Sequence, residues 1–333
     1  MIQTVKVAAV QATPVFLDRE ATTAKACDLL ADAAANGADL VVFPEAFIPA
    51  YPDWVWRTRP WADGPAAWYD RLHDNAVAIP GPSTEVLAEA ARAAGTYVAI
   101  GVNEIDAAGG TIYNTLLFID PHGELIGRHR KLMPTGGERL VWGTGDGSGL
   151  RVYETPFGNL GGLICWENYM PLARAALYGQ GIDIHVAPTW DNSEEWVPTL
   201  RHIAKEGGCH VIGVTPFLRG SDVPDDIEGR DEIYGGDEDV MSRGNTTIVG
   251  AGGAIVAGPL TGEEGIVYAD LDTAAPRRQR RHFDAVGHYA RPDVLRLVVD
   301  RSSRSAATYR DSGEVGGPGD GPGDGAASDP VRS

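Results

Sequence analysis

The sequence is poor in cysteine and short of positive charge. Its 333 residues include three cysteines, Cys27, Cys165 and Cys209, which lie far apart. An odd, scattered set argues against a disulfide framework and favours a reducing cytoplasm. Lysine and arginine number 28 against 46 acidic residues, for a formal net charge of −18. Because so acidic a surface repels phosphate backbones and anionic lipid, we expect neither nucleic acid nor a membrane as partner.

Long apolar runs and metal-binding motifs are also missing. No stretch approaches the ~20 apolar residues that a membrane helix needs, which excludes a predicted span. The N-terminus has no long apolar segment followed by a small-residue cleavage site, so we predict no secretion signal. His129, His185, His202 and His210 lack the spacing of a zinc site, and neither CxxC nor HExxH occurs. We therefore expect no catalytic metal.

Strand-like and helix-like segments alternate over the first 300 residues. The apolar runs Val5–Ala12 and Asp39–Phe43 predict buried strands, and the spacing in Ala21–Asn36 predicts a helix. Turn signals at 121–123 and 156–159 separate pairs of strand-like runs and therefore predict hairpins. Helices alternating with strands, with hairpins among them, indicate an α/β fold built on a mixed sheet.

Two segments differ from the rest in composition. Arg219–Val240 is acidic and rich in glycine, which predicts a solvated surface loop. From about Arg301 the chain turns to serine, glycine, aspartate and proline, and Gly-Pro-Gly-Asp at 317–320 repeats at 321–324. Such a tail cannot bury enough apolar surface to offset the entropy of ordering. We predict one domain over residues 1–300 and a disordered tail over 301–333.

Three reactive side chains each follow a strand-like run. Glu45 comes after residues 40–44, Lys131 comes after a hairpin strand, and Cys165 comes after residues 160–164. Ligands of open α/β sheets bind outside the carboxyl ends of the strands. The three groups can therefore meet in one cleft although they are far apart in sequence.

The residue types suggest roles, each with a structural alternative. A thiol at a strand-to-helix turn, such as Cys165, faces backbone N–H groups that stabilise a thiolate and an oxyanion; the alternative is an inert buried cysteine. Desolvation of Glu45 beside proline and aromatic residues would suit a general base, whereas Glu45 and Lys131 could also be solvated strand-end residues. Glu138 could hold the Lys131 ammonium and orient a water, or pair with Arg139 at the surface.

Aromatic side chains near these motifs could form a substrate-binding wall. All eight tryptophans fall between positions 54 and 196, close to the three reactive residues along the chain. Packing in the core or at an interface is the alternative for any one of them. The candidate substrate-binding residues are Tyr51, Trp54, Trp142, Trp166 and Trp190.

Taken together, the motifs resemble the nitrilase superfamily of carbon–nitrogen hydrolases over roughly residues 3–300. The order of a glutamate, a lysine and a cysteine in Phe43–Phe47, His129–Thr135 and Gly162–Glu167 is similar to the catalytic set of that family. Further segments resemble the nitrilase branch more than the amidases. They are Ala50–Pro52, Glu138–Arg139 with Trp142–Gly147, Cys165–Asn168 and Phe283–Asp293.

This resemblance implies a four-layer α-β-β-α sandwich with mixed sheets. It implies Glu45, Lys131 and Cys165 as the catalytic triad, with Glu138 as an additional catalytic glutamate. A nitrilase with these residues hydrolyses a small organic nitrile to the acid and ammonia through thioimidate and thioester intermediates on the cysteine, and needs no cofactor. Family members pair through the helical layer and often extend into spirals, so the resemblance also implies a homo-oligomer.

Three other functions stay open at this point. An amidase or carbamoylase on the same scaffold would use the same nucleophile but start from a trigonal amide. A non-catalytic, oligomer-forming binding protein would keep the fold without turnover, although the intact Glu45, Lys131 and Cys165 argue against it. A glycosidase using Glu45 and Glu138 would leave Lys131 and Cys165 without a role. The sequence leaves open whether a nitrile substrate is aliphatic, aromatic or arylaliphatic.

Overall fold

The computed structural model describes residues 3–60, 65–227, 229–234, 236 and 239–304. The helices are α1 (Arg19–Ala35), α2 (Pro65–Asp74), α3 (Pro82–Ala94), α4 (Pro171–Tyr178), α5 (Trp196–Gly207), α6 (Arg230–Ile233) and α7 (Ala275–His282). Among these described elements, every helix is too short or too polar to cross a bilayer. The predicted disordered tail lies, from residue 305 onward, outside the described residues.

Thirteen strands in the described ranges form two sheets. The strands are β1 (Thr4–Gln11), β2 (Leu40–Val42), β3 (Tyr97–Ile105), β4 (Ile112–Ile119), β5 (Leu125–Arg130), β6 (Tyr153–Thr155), β7 (Gly158–Gly162), β8 (Ile184–Pro188), β9 (His210–Val214), β10 (Phe217–Arg219), β11 (Val240–Val249), β12 (Ile255–Thr261) and β13 (Gly265–Asp272). The first sheet has the order β13-β1-β2-β3-β4-β5, and the second has the order β10-β11-β9-β8-β7-β6 with β12 on β11.

Both sheets are mixed, as the hairpins predicted. In the first sheet β1, β2 and β3 are parallel, whereas β3, β4 and β5 pair antiparallel. Two successive antiparallel pairings give β5 the direction of β2, so the carboxyl ends of β2 and β5 lie at the same edge. In the second sheet β7, β8 and β9 are parallel, and their carboxyl ends also share an edge.

Strand β1 shows why the sheets are covered on both faces. Val5, Val7 and Ala9 join an apolar cluster that also contains strands of the second sheet. Ala8 and Val10 belong to a different cluster, which contains residues of α1 and α3. Successive side chains of a strand point to opposite faces, so a stretch buried on both sides is apolar at successive positions, as residues 7–10 are. The run of apolar residues that predicted this strand has that cause.

The second sheet is covered in the same way. Leu160 of β7 and Ile212 of β9 face the first sheet. On the other face, Val211 of β9 packs in a cluster with Leu177 of α4 and Leu200 of α5. Two facing sheets with helices outside each of them form a four-layer α-β-β-α sandwich, which confirms the predicted fold class.

The acidic segment Arg219–Val240 is solvated only in part: Asp225, Asp226 and Glu232 are exposed, as its composition predicted, but several of its described residues are buried. Val223 and Ile227 are 2% and 5% exposed, and Tyr234 is fully buried in an aromatic cluster. The ring of Tyr234 lies 5.5 Å from that of Trp68, and the Arg57 guanidinium lies 4.9 Å from the Tyr234 ring centroid. Composition predicted the exposed acidic side chains but not the burial of the few apolar residues that pack the segment against the domain.

Candidate active site

Three elements bring the reactive residues to one place. Glu45 follows β2, Lys131 follows β5 directly and Cys165 follows β7, all at strand carboxyl ends. Lys131 Nζ lies 2.7 Å from Glu45 Oε1 and 2.8 Å from Glu138 Oε2. Cys165 and Glu138 line a cavity of about 400 Å³. The structure therefore places Cys165 and Glu138 on the cavity wall and joins Lys131 and Glu45 to Glu138 through close ion pairs.

The turn that carries Glu45 requires close backbone approach. Ala46, directly after it, has a positive φ of 49°. Gly101 of β3 lies against this turn, and a Cβ there would collide with the backbone of Pro44 and Ala46. A glycine on the neighbouring strand is thus needed for Glu45 to occupy its position.

Lys131 is a buried cation between two carboxylates. Its side chain has no exposed surface. Burial alone would lower the pKa of this ammonium, but Glu45 and Glu138, together with Cys165 once its thiol is ionised, more than reverse that effect and raise the pKa. Lys131 is therefore a permanent positive charge, suited to stabilising negative charge on a reacting nitrogen or oxygen.

The two carboxylate oxygens of Glu45 accept different numbers of hydrogen bonds. Its Oε1 accepts hydrogen bonds from Lys131 and from Asn114 Nδ2, each at 2.7 Å, while Oε2 accepts the Trp190 N–H at 2.7 Å. Burial raises the pKa of this carboxyl, and Lys131 only partly offsets the effect. A carboxylate with raised proton affinity is the type of group that can take a proton from a thiol.

Glu138 is held by three donors. Its Oε1 accepts from the Tyr51 hydroxyl at 2.7 Å, and its Oε2 accepts from Lys131 and from the Thr135 N–H at 2.6 Å. The surface ion pair with Arg139 does not form, since Glu138 is 1% exposed and Arg139 donates to the Pro134 carbonyl instead. Glu138 and Glu45 thus both hold the Lys131 ammonium.

Cys165 occupies a strained turn. Its φ is 52°, in the left-handed region that non-glycine residues rarely adopt, at the start of the 3-10 turn Cys165–Tyr169. Burial and the charge of Glu45 raise the pKa of the thiol, whereas Lys131 and a hydrogen bond from Thr189 lower it. Because the raising effects dominate, the resting thiol is protonated and needs a base before it can attack.

Four aromatic side chains, those of Tyr51, Trp56, Trp166 and Trp190, form part of the cavity wall. Tyr51 and Trp190 stack with ring centroids 4.4 Å apart and planes at 5°. Trp56 donates its indole N–H to the Tyr51 hydroxyl at 2.9 Å. Trp166, 48% exposed, donates its indole N–H to Asp191 Oδ2 at 2.9 Å. Tyr51, Trp166 and Trp190 thus line the cavity, as expected of substrate-binding residues.

Two predicted wall residues lie elsewhere. Trp54 is 2% exposed and packs 5.7 Å from the ring of Trp68. Trp142 lies behind Tyr51, edge-on at 5.4 Å, with its indole N–H on Asn103 Oδ1 and its ring 5.6 Å from the Lys131 ammonium. Trp56 lines the cavity in place of Trp54, because residues two apart in the 3-10 turn Asp53–Trp56 point in different directions.

Thr189 is a site residue that the sequence interpretation missed. It directly follows β8, is fully buried, and donates its hydroxyl to Cys165 Sγ at 3.1 Å. Its oxygen accepts the Asp191 N–H at 2.9 Å, so its single hydroxyl proton is free to point at the sulfur. The strand-end rule that found Glu45 and Cys165 would also have found Thr189.

Within the described ranges, no group of three or more histidine, cysteine, aspartate and glutamate side chains is arranged to hold a metal ion. The chemistry of the site is instead that of a thiol, two carboxylates and an ammonium around one small cavity. This set can perform nucleophilic addition, proton transfer and stabilisation of a developing anion.

Such a site in a four-layer sandwich is that of a cysteine hydrolase, and the comparisons with known proteins narrow the class. The model of the carbon–nitrogen hydrolase family matches residues 6–281. The chain belongs to the carbon–nitrogen hydrolase family, which confirms the predicted superfamily and makes the protein a hydrolase acting on carbon–nitrogen bonds.

Full-length relatives and a solved structure agree with this assignment. An aliphatic nitrilase of Sinorhizobium fredii (strain HH103) is 48% identical over 92% of this chain and 98% of its own. Nitrilase 2 of Arabidopsis thaliana is 42% identical over 92% of this chain and 91% of its own. The crystal structure of a carbon–nitrogen hydrolase from Helicobacter pylori G27, 20% identical, superimposes with a TM-score of 0.67 over 87% of this chain and 96% of its own, which shows the shared fold.

Proposed function

We propose that this protein is a nitrilase that hydrolyses a small organic nitrile to the carboxylic acid and ammonia. The observation that carries the proposal is the buried Lys131, held between Glu45 and Glu138 beside the cavity that Cys165 lines. Nitrilases with 41–48% identity over most of the chain support the same reaction.

The first step forms a covalent bond between sulfur and carbon. Glu45 takes the proton of the Cys165 thiol, and Sγ adds to the nitrile carbon. One π bond of the nitrile breaks, and its electron pair goes to nitrogen, which receives a proton and yields a thioimidate. Lys131 and the Trp166 backbone N–H stabilise the charge that develops on nitrogen. Loss of one such donor typically costs about 2.7–4 kcal/mol of barrier.

Two waters complete the reaction. Glu45 removes a proton from the first water, whose oxygen adds to the thioimidate carbon; the carbon–nitrogen bond then breaks, and protonated nitrogen leaves as ammonia. The resulting thioester is attacked by the second water, which releases the carboxylic acid and returns the proton to the thiol. Every step is an addition, an elimination or a proton transfer, so the reaction requires no cofactor. Glu138 would keep Lys131 aligned throughout.

The cavity favours a neutral nitrile with an apolar side chain. Tyr51, Trp56, Trp166 and Trp190 supply apolar wall surface, and we assign them to substrate binding. Two carboxylates and one ammonium give the inner site a net negative charge, which opposes an anionic substrate. A volume of about 400 Å³ restricts the substrate to a small molecule.

Ammonia release from a panel of nitriles and their matching amides tests this function. We expect the wild-type protein to release ammonia from at least one neutral nitrile and the Cys165→Ser variant to release none. Turnover of amides alone would assign an amidase or carbamoylase on the same scaffold. Stoichiometric labelling of Cys165 without turnover of either panel would instead identify a non-catalytic binding protein.

We also propose that the chain assembles through the helical layer of α4 and α5. Around the start of α4 the side chains of Tyr169, Met170 and Leu172 are 42%, 37% and 68% exposed. Light scattering after size-exclusion chromatography would test this assembly, with Leu172→Glu expected to reduce the mass of the oligomer.

The three free thiols support a cytoplasmic location. We retain residues 1–300 as the hydrolase domain and the rest as a tail.

A further inference from the structure

One buried carboxylate beside the active site has no part in the mechanism above. Glu167 is 1% exposed and lies two residues after the nucleophile. Its Oε1 accepts the Leu132 N–H at 2.6 Å, and its Oε2 accepts the Ile164 N–H at 2.7 Å. His129 Nε2, also buried, lies 3.0 Å from Oε2 and 3.2 Å from Oε1. Each oxygen of one side chain therefore has its own backbone partner.

The two backbone partners belong to different sheets. Leu132 is the residue after Lys131 and follows β5 of the first sheet, whereas Ile164 precedes Cys165 and follows β7 of the second. A single carboxylate thus joins the peptide beside the ammonium to the peptide beside the thiol. His129 lies on β5 itself, so the imidazole links the same carboxylate to the rigid part of the first sheet.

The ionisation of Glu167 suits its hydrogen bonds to two backbone N–H groups. Burial alone would raise the pKa of Glu167, but His129 and the N–H groups of Leu132 and Ile164 lower it below its ordinary value. The side chain is an ionised carboxylate, and all its lone pairs are acceptors, so His129 Nε2 carries a proton and donates it. A glutamine in this place would offer one acceptor oxygen and would turn an N–H donor toward the other backbone N–H.

An ion pair beside the end of a strand can also be merely structural, and Asp183, whose side chain is 23% exposed, provides that contrast. This aspartate precedes β8, at the other end of the second sheet from Cys165. It accepts the Asn159 N–H at 3.0 Å and pairs with Arg280 at 3.1 Å. Asp183 and Glu167 each join a backbone N–H to a basic side chain, but only Glu167 does so beside the reacting groups.

We propose that Glu167, oriented by His129, is a positioning residue that holds the Lys131 loop and the Cys165 turn at the separation that the reaction requires. The catalytic consequence rests on the proposed nitrilase function, whereas the geometric claim concerns only the lysine and the cysteine. Loss of the hydrogen bonds of Glu167 would let the Lys131 loop and the Cys165 turn move apart while both sheets remain folded.

The first test compares Glu167→Gln with the matched control Asp183→Asn, using kcat, KM and the urea midpoint of unfolding. A misplacement of about 1 Å can cost about 100-fold in rate, so we expect Glu167→Gln to lower kcat about 100-fold with little change in KM. The Asp183→Asn variant should lose stability but keep its kcat. If Glu167→Gln retains kcat within threefold of the wild type, the positioning role is overturned.

The second test needs no nitrile. The rate at which iodoacetamide alkylates Cys165, followed by mass spectrometry of the Cys165 peptide, is measured against pH for the same two variants. Because Lys131 lowers the pKa of the thiol, its drift away from Cys165 should displace the Glu167→Gln profile to higher pH. The Asp183→Asn profile should match the wild type. An unchanged Glu167→Gln profile contradicts the proposal even if turnover is lost.

The two tests separate failure of the proposal from failure of the nitrilase assignment. If the wild type hydrolyses no nitrile, the assignment fails and the alkylation profile still decides whether Glu167 positions Lys131. Should Glu167→Gln not fold, His129→Leu removes the donor that orients the carboxylate and leaves the carboxylate in place. We expect a smaller displacement in the same direction, and an unchanged profile in folded His129→Leu overturns the proposal.

Discussion

The two ends of the parallel strands β7, β8 and β9 contrast a reactive region with an inert one. At the carboxyl ends lies Cys165, 4% exposed and open to the cavity; at the amino end of β9 lies Cys209, fully buried. Burial raises the pKa of both thiols, that of Cys209 to about 12. Burial and a raised pKa therefore do not distinguish a nucleophile from a packing residue.

The difference lies in what else meets at each end. Cys209 has Arg280 and Asp183 near enough to affect its pKa, but these two pair with each other and with backbone groups. At the carboxyl ends, a lysine and a carboxylate lie beside a cavity that can admit a substrate. The carboxylate can act there as a base toward the thiol. Substitutions at the two ends should therefore have very different effects on turnover.

Substitution of the two buried thiols should separate the regions most widely. We expect Cys165→Ser to lose on the order of 10⁶-fold in kcat, as hydrolases do when the nucleophile is removed. The Cys209→Ser variant should keep its kcat, since the thiol only fills space at the base of β9. Ammonia release under saturating nitrile measures both. Equal losses in the two variants would mean that the cavity end has no special chemistry.

Removal of the base should give the next largest effect. We expect Glu45→Gln to lower kcat/KM by about 10³-fold, within the usual range for general-base catalysis. Glu45 acts when deprotonated, and burial raises its pKa, so wild-type kcat/KM should fall with decreasing pH at a value above the ordinary carboxyl pKa of 4.5. That acid limb should be absent in Glu45→Gln. Its persistence would assign the proton transfer to another group.

The Thr189 hydroxyl should contribute less. A hydrogen bond to a charged group is worth about 1.5–3 kcal/mol, so Thr189→Val should slow Cys165 alkylation and turnover about 10- to 100-fold. Thr215 offers a matched control, because it directly follows β9 and is fully buried. Its hydroxyl has no hydrogen-bond partner among the described residues. Thr215→Val should leave both rates unchanged, and a similar loss there would point to packing alone.

Between the two ends, His185 of β8 should give the smallest effect, on stability. Burial, and then the charge of Arg174, lower the pKa of His185 to about 3, and its imidazole bonds Asn168 Oδ1 at 2.7 Å. Because the folded state binds this proton less tightly than the unfolded state, the contribution is complete above pH 6.5 and is lost as pH falls toward 3. One pH unit in that window removes about 1.4 kcal/mol. Urea unfolding at pH 7.5 and 5.5 should show this loss in the wild type, while His185→Gln should lose less.

Local chemistry made much of the fold and the site predictable. The β1 strand is apolar over residues 7–10 because both of its faces are buried there, so its pattern alone indicated a strand in a covered sheet. Glu45, Lys131 and Cys165 could be found because each follows a strand-like run. Trp54 and Trp142 could not be excluded, because the sequence does not indicate which way an indole ring faces. The burial of Tyr234 within an acidic segment could not be predicted either, because the sequence does not indicate which way its ring faces.

Periodicity and residue type are local properties, so they were enough to predict a mixed α/β fold and to single out the thiol, the carboxylates and the lysine. The resemblance of the motifs added the family and the four-layer sandwich. The packing of the chain was needed to show that Trp56 rather than Trp54 faces the cavity, that Thr189 donates to the sulfur, and that Glu167 joins the two catalytic loops. Those facts depend on how two sheets pack against each other. Contacts between residues 24 to 145 positions apart leave no trace in the spacing of either partner.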